Sequence, residues 1–387
     1  MGLIAGPRSP PIGGDCASID LLRKLHAALA RVEPAKSPPP RPGLVPAPAA
    51  AQPPAMRVSP LLTLLAFTLL APTVAVRGLA AQALTAGSPV TALTGQSHRG
   101  WTDAVILRNR TVEAVIVPSV GRVMQFRFLG EPDGPFWENE KLLGRPMPVD
   151  PWKVAVGSFG GDKTWPAPQS EWKWPPPDVF DAAPLTATIN ADRSVTLTSP
   201  VSPRLGLRTI RRISFDPTEA VMRIATTFEK ISGEPAPVAV WVITQLRDPA
   251  AIFMPVPPHS IFPEGYAAPW KGPAQHLRRE ADWIRLTRNP AGSHKTGNDA
   301  TDLVWADARQ LLRISIPRLA DADYTHNRCS VEVYTNADPV PYVELETLGP
   351  LQTLRPGERA TATNTYRLAR RTAAAPLETE VRALLAR

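Results

Sequence analysis

The chain has 387 residues, 46 of them proline, and a formal net charge of +8. That proline content is more than twice the usual share of about 5%. It excludes a mostly helical protein, since each interior proline costs a helix about 3 kcal/mol. Ten tryptophans and 43% apolar residues exclude wholesale disorder just as firmly.

Residues 1–55 hold 12 of the prolines, including Pro38, Pro39 and Pro40, with little apolar periodicity. They read as a disordered leader or a mis-assigned start. At Met56 the character changes: Arg57 precedes the apolar run 61–70, and Ala81-Gln82-Ala83 follows it. A basic start, a short apolar core and a small-x-small end make a secretory signal peptide over 56–83, with cleavage near Ala83. The alternative is a short uncleaved anchor behind a cytoplasmic tail, but 16 apolar residues interrupted by Pro72 are short for a span. Eight of the 43 basic and three of the 35 acidic residues lie before Leu84, which leaves 35 and 32, a net of +3. No basic run interleaved with aromatics survives, so nucleic acid is not an expected partner. Cys329 is then the single mature cysteine, expected as a small core residue.

After a linker over 84–98, strand-like runs follow one another at 103–109, 112–118, 122–128, 185–190, 194–199, 207–215, 221–229, 238–246, 303–306, 311–316, 330–335, 342–347 and 360–368. Short turns between them predict an all-β fold, a large antiparallel sandwich over 99–370. Only the tail, within 371–387, reads helical. Two long irregular stretches, 130–183 and 253–281, interrupt the strands and are of the length that functional loops and lids have.

The first of these contains Gly160-Gly161-Asp162-Lys163-Thr164-Trp165 and then a proline-rich run to Asp178. So many prolines predict neither helix nor central strand. Trp165 and Trp172 offer flat apolar faces for a sugar ring, and Asp162 and Lys163 directional hydrogen bonds. The bland reading is that the tryptophans pin a proline-rich lid onto the sandwich edge, and both readings hold together if Trp165 is buried and Trp172 exposed. In the C-terminal third, period-two alternation puts Val331, Val333, Val343 and Leu345 on one face, and Glu332, Tyr334, Tyr342, Glu344 and Glu346 on the other. A hairpin centred near Asp338 sets Glu332 opposite Glu344 and Tyr334 opposite Tyr342. Facing carboxylates persist where a basic group neutralises them or one keeps a proton, and the latter makes an acid–base site. The plain alternative is a solvated face with Arg313 or Arg328 as partners. His294 has the most polar context of the histidines and is a candidate acid from an exposed loop, with Lys163 and the neighbouring Lys295 as alternative donors to a bound sugar. No close pair of metal ligands occurs, so neither metal nor cofactor is expected.

The stretch Val112–Val123, with Pro118-Ser119-Val120-Gly121 as its turn, resembles the opening of galactose mutarotase-like (aldose 1-epimerase-like) domains. Tyr342-Val343-Glu344-Leu345-Glu346-Thr347-Leu348-Gly349-Pro350, followed by Leu354-Arg355-Pro356-Gly357-Glu358, resembles their closing strands. With Gly160–Trp165, these segments are similar to an uncharacterised bacterial domain family of that superfamily, across roughly residues 100–370. The resemblance implies a β-supersandwich and a carbohydrate partner, with a glutamate base and a histidine acid. Glu344 or Glu346 match the base by position, while no histidine stands in the H-x-Y-[FW]-N context of the acid. The function expected is an exported carbohydrate-binding or carbohydrate-active protein, monomeric and without a membrane segment once the signal is removed. The alternative is a non-catalytic envelope protein that binds glycan or protein.

Overall fold

The computed structural model describes residues 89–146, 158–172, 175–181, 183–268, 276–372 and 374–387. The leader over 1–55 and the signal-like stretch over 56–83 lie outside them. Among the described residues no helix is long and apolar enough to cross a membrane.

Two antiparallel sheets of ten strands each face one another, the all-β sandwich that the sequence predicts. The first runs β1 (Thr91–His98), β2 (Trp101–Arg108), β3 (Val112–Val117), β4 (Arg122–Phe128), β5 (Gly161–Ala167), β10 (Ala236–Arg247), β18 (Tyr342–Leu348), β17 (Val331–Thr335) and β14 (His294–Asn298). Strand β19 (Gln352–Leu354) pairs with the start of β10. The second runs β12 (Leu277–Arg279), β13 (Trp283–Leu286), β11 (Ala251–Pro255), β15 (Asp302–Ala306), β16 (Gln310–Ser315), β20 (Arg359–Arg370), β9 (Val221–Lys230), β8 (Leu207–Phe215), β7 (Val195–Thr198) and β6 (Thr186–Ile189). Helix α1 (Asp178–Asp181) is a single turn. Helix α2 (Leu377–Leu385), expected from its spacing, seats Val381 and Leu384 on Phe253, Trp283, Val304 and Leu311. Part of the supposed linker is strand β1, paired with β2.

Each strand turns one set of side chains into the core and the alternate set away from it. The inner face of the first sheet carries Val240, Val242, Val331, Val333, Val343 and Leu345, all buried in one cluster with Ile213, Ile224 and Leu312 of the second. Asp162 is also on this inner face. Its carboxylate pairs with Arg211 of β8 and accepts from Thr244 Oγ1 at 2.7 Å and Tyr366 Oη at 2.6 Å. A charge wholly removed from water needs such a set of partners.

Strand β5 corrects the expectation that the proline-rich run excludes a central strand. Gly161–Ala167 lies between β4 and β10, and Pro166 is inside it, opposite Val240. Strand β4 pairs with β5 only at Val123–Asp162, so the ladder on that side stops before Pro166. A proline is tolerated where its absent N–H leaves no ladder bond open. Its carbonyl accepts instead from Trp172 Nε1 at 2.7 Å. Where the strand begins, Gly160 and Gly161 have φ of 96° and 70°. A Cβ on Gly160 would stand 2.1 Å from Trp137 O, and one on Gly161 2.5 Å from Val123 O. Gly160→Ala is therefore expected to lower stability by more than about 1 kcal/mol in a urea melt, since a side chain fits neither the space nor the φ.

Candidate functional site

The polar alternate set, turned away from the second sheet, gathers on β5, β10, β18, β17 and β14. In the observed register Glu332 faces Glu346 and Tyr334 faces Glu344. This differs by two residues from the predicted pairing of Glu332 with Glu344 and of Tyr334 with Tyr342. The reason is the link: Asn336 N–H donates to Tyr342 O at 3.0 Å, so the loop closes one step later than a turn centred on Asp338. An offset of two leaves every side chain on its predicted face, where an offset of one would have reversed them.

Lys295, reaching across from β14, neutralises the facing carboxylates. Its Nζ is 3.0 Å from Glu332 Oε2 and 2.8 Å from Glu346 Oε2, and 4.8 Å from the centre of the Trp241 ring. The arginines proposed as partners are elsewhere: Arg313 pairs with Asp302, and Arg328 makes no ion pair among the described residues. Trp241 Nε1 donates to Glu346 Oε2 at 2.6 Å. His326 Nδ1 is 2.8 Å from Glu332 Oε2, and its ring stands edge-on to Trp241 at 4.6 Å. This leaves His326 Nε2 without a protein partner among the described residues.

Burial decides the titration of the two carboxylates, and their charged neighbours split them. Glu346, only 1% exposed, is pushed up to about 8 by burial, aided by Glu332 and Glu344 against Lys295. For Glu332 burial also works upward, but Lys295 and His326 outweigh it and bring the group down to about 2. Desolvation opposes the charge on Lys295, and Glu332 with Glu346 overcome it and raise the ammonium above its ordinary value. Glu346 thus binds its proton more tightly when folded than when unfolded. Its contribution to stability is full below pH 4.5 and is lost as the pH rises toward about 8. Glu332 has the opposite sign, with stability lost as the pH falls from 4.5 toward 2. Urea midpoints at pH 5 and pH 8 check the first limb: Glu346→Gln is expected to flatten the decline that the parent chain shows.

Glu344 is different. It is half-buried, accepts from Gln245 Nε2 at 2.9 Å, and has no cation in ion-pair distance among the described residues. Gln245 is itself fixed, its Oε1 accepting from Ser158 Oγ at 2.5 Å and Arg122 Nη1 at 3.4 Å. Three half-buried aromatics flank this carboxylate. Tyr334 lies opposite it, Tyr342 is 6.3 Å from Tyr334, and Trp137 stacks on Tyr342 at 4.7 Å. Trp137 is tied to the site by its N–H, which donates to Gln245 O at 2.9 Å. Burial pushes the Tyr334 phenol up to about 12, which keeps it a hydrogen-bond donor at neutral pH.

The remaining candidates divide. Lys163 and Trp165 are on this outer face, but both are buried and bound to Asp181: Nζ at 2.8 Å and Nε1 at 3.2 Å. The Lys163 ammonium also lies over the Trp165 ring at 3.9 Å. Burial disfavours the Asp181 carboxylate, yet Lys163 and Arg122 more than offset this and hold it below the usual range. Burial lowers both Lys163 and Arg122. Trp172, expected exposed, is fully buried against Trp165 and offers no face to a sugar. Asp162 points into the core, because it alternates with Lys163 on β5. His294 is also corrected: it is on strand β14, not an exposed loop. Lying next to Lys295 on the strand, it turns to the opposite face, with Nε2 2.8 Å from Asn289 Nδ2.

Sequence reading missed Trp137, Trp241, Gln245, Arg122, Asp181 and His326. One signal for His326 is in the backbone alone: His326, Asn327 and Arg328 have φ of 49°, 59° and 68°. Three successive non-glycine residues in the left-handed region persist only where the surroundings hold them, and such strain gathers at functional sites.

No family model and no curated protein matches the chain. Solved structures do. A galactose mutarotase-like protein from Lactobacillus casei is 10% identical at a TM-score of 0.47, covering 69% of this chain and 100% of its own. One from Clostridium acetobutylicum is 10% identical at 0.46, covering 73% and 98%. A TPR-domain containing protein from Parabacteroides distasonis is 13% identical at 0.47, over 69% of this chain. This chain spans about half of that protein's length, 47%. Two of these three structures are galactose mutarotase-like by name, at a likeness too distant to carry chemistry, which the site itself must supply.

Proposed function

We propose that the outer face of the first sheet binds a carbohydrate and exchanges protons with it as an acid–base site. The observation that carries this is Glu344: a half-buried carboxylate, oriented by one amide and free of ion pairs among the described residues, set between aromatic rings. Glu344 accepts the proton of a sugar hydroxyl, and His326 Nε2, with its ring steered by Glu332, donates to the ring oxygen. When the donor and acceptor act together on a cyclic sugar, the ring carbon–oxygen bond opens and re-forms from the other side, which exchanges anomers. Glu346 lies two residues along β18 from Glu344, roughly 7 Å, and completes the floor between the two ends.

The saturation of Glu332 and Glu346 by Lys295, Trp241 and His326 favours a second reading, a non-catalytic envelope protein holding glycan or protein on the same face. Exchange spectroscopy on a panel of reducing sugars separates the two. Anomer interconversion above the uncatalysed rate, lost in Glu344→Gln, supports the enzyme. Saturable binding with no acceleration supports the binder, and neither result with any sugar contradicts both carbohydrate readings. Export through the signal-like 56–83 belongs to the same proposal, and N-terminal sequencing of the chain from the cell envelope is expected to start near Leu84.

A further inference from the structure

The tip of the β1–β2 hairpin holds a carboxylate that the site above does not use. His98 Nε2 stands 2.6 Å from Glu138 Oε1, and Arg99 Nε stands 3.0 Å from Glu138 Oε2. His98 and Glu138 are both buried, and the partly exposed Arg99 also pairs with Asp133. The His98 ring lies nearly parallel to Trp101 at 6.4 Å, and Trp101 Nε1 donates to Arg145 O at 2.9 Å. Gly100 comes so near Gly144 that a Cβ on it would stand 2.9 Å from Gly144 Cα. One hairpin tip thus grips the following loop at Asp133, Glu138, Gly144 and Arg145.

The gripped loop is also a wall of the carbohydrate face. Residues 135–139 run extended between the end of β10 and residues 159–161. Arg247 N–H donates to Pro135 O, Trp137 N–H to Gln245 O, Gly161 N–H to Trp137 O and Asn139 N–H to Phe159 O, at 2.8–3.0 Å. Neighbouring residues of an extended segment turn to opposite sides. Trp137 turns to Tyr342, and Glu138 turns to His98. Next in the chain, Asn139 Nδ2 donates to Ser158 O at 3.0 Å. Ser158 Oγ in turn donates at 2.5 Å to Gln245 Oε1, whose amide orients Glu344. A buried charged contact often adds little stability over apolar side chains of the same volume. It does fix a distance and a direction, which an aromatic platform and an oriented carboxylate both require.

We propose that His98 and Glu138 are positioning residues for the carbohydrate face: their contact seats residues 136–139, and through these the Trp137 ring and the amide that orients Glu344. What the face binds rests on the carbohydrate reading above, while the seating of Trp137 does not. The test therefore takes two readouts on the full chain. Without sugar, Trp137 emission is obtained as the difference from a Trp137→Phe background, and its quenching by acrylamide is measured. His98→Ala is expected to make Trp137 more accessible to the quencher. With the reducing sugar that the parent binds most tightly, His98→Ala is expected to weaken binding about tenfold. His98→Gln, whose amide can still donate to Glu138, is expected to recover most of both losses. Val381→Ala loosens the packing of α2 on the second sheet and is expected to leave both readouts at the parent's values. Arg99→Ala, at a partly exposed position, is expected to move both the same way by less, and it decides where His98→Ala does not fold. Quenching and affinity unchanged from the parent overturn the proposal. So does a loss that His98→Gln fails to recover or that Val381→Ala reproduces. A parent chain that binds no saccharide overturns the carbohydrate reading and leaves the quenching of Trp137 to decide this one.

Discussion

Glu344→Gln is expected to slow anomer exchange about 10²–10⁴-fold, the range of a single positioned acid or base. The amide keeps the shape and can still bond Gln245, so the loss should fall on kcat far more than on KM. Glu346→Gln provides the contrast. Glu346 is 1% exposed and bound by Lys295 and Trp241, so it does not reach a ligand directly. Its replacement is expected to change the pH dependence of stability and to reduce turnover less than tenfold. If the two variants show the same loss of turnover, Glu344 has no special role and the assignment of the base is wrong.

Asp162→Ala is expected to be the most destabilising single change in the core, by about 3–5 kcal/mol. It strands the Arg211 guanidinium, whose side chain is 1% exposed, and takes the acceptor from Thr244 and Tyr366. Against a domain stability of about 5–15 kcal/mol, that is a large share. Replacing both members of the pair, Asp162→Leu with Arg211→Met, should recover much of the loss, because no charge is then left buried. Urea unfolding of the single and double variants checks this. A single variant within 1 kcal/mol of the parent would mean that water or another group satisfies Arg211.

These two residues show where sequence patterning succeeds and where it stops. Thirteen of the twenty strands follow from runs of apolar or alternating residues, and so do the faces of β17 and β18. Strand β5 was hidden by Pro166, whose tolerance depends on how far β4 extends beside it. Strand β14 was hidden by composition: Thr296, Gly297 and Asn298 are buried, yet His294-Lys295-Thr296-Gly297-Asn298 has no apolar residue to announce it. Periodicity places Glu332, Glu344 and Glu346 together, but it does not say what neutralises them. That depends on β14 docking beside β17, a contact between segments more than thirty residues apart. The same limit explains Asp162 and Lys163. Adjacent in sequence, they belong to opposite faces, one in the inter-sheet ion pair and the other with Asp181. His326 was legible only as a histidine, since a run of left-handed residues other than glycine has no composition signal.

The most direct test of the account is intrinsic fluorescence of the chain starting at Leu84, titrated with neutral, uronic and sulfated oligosaccharides, alongside Trp137→Phe and Trp241→Phe. Trp137 is half-buried beside Tyr342 at one end of the proposed face, and Trp241, buried with its Nε1 on Glu346, lies under the other, while Trp165 and Trp172 are bound to Asp181 and Pro166. A saturable change with one class of sugar, diminished in both variants, is expected. A saturable change that survives both substitutions would place the ligand elsewhere on the molecule and contradict the site described.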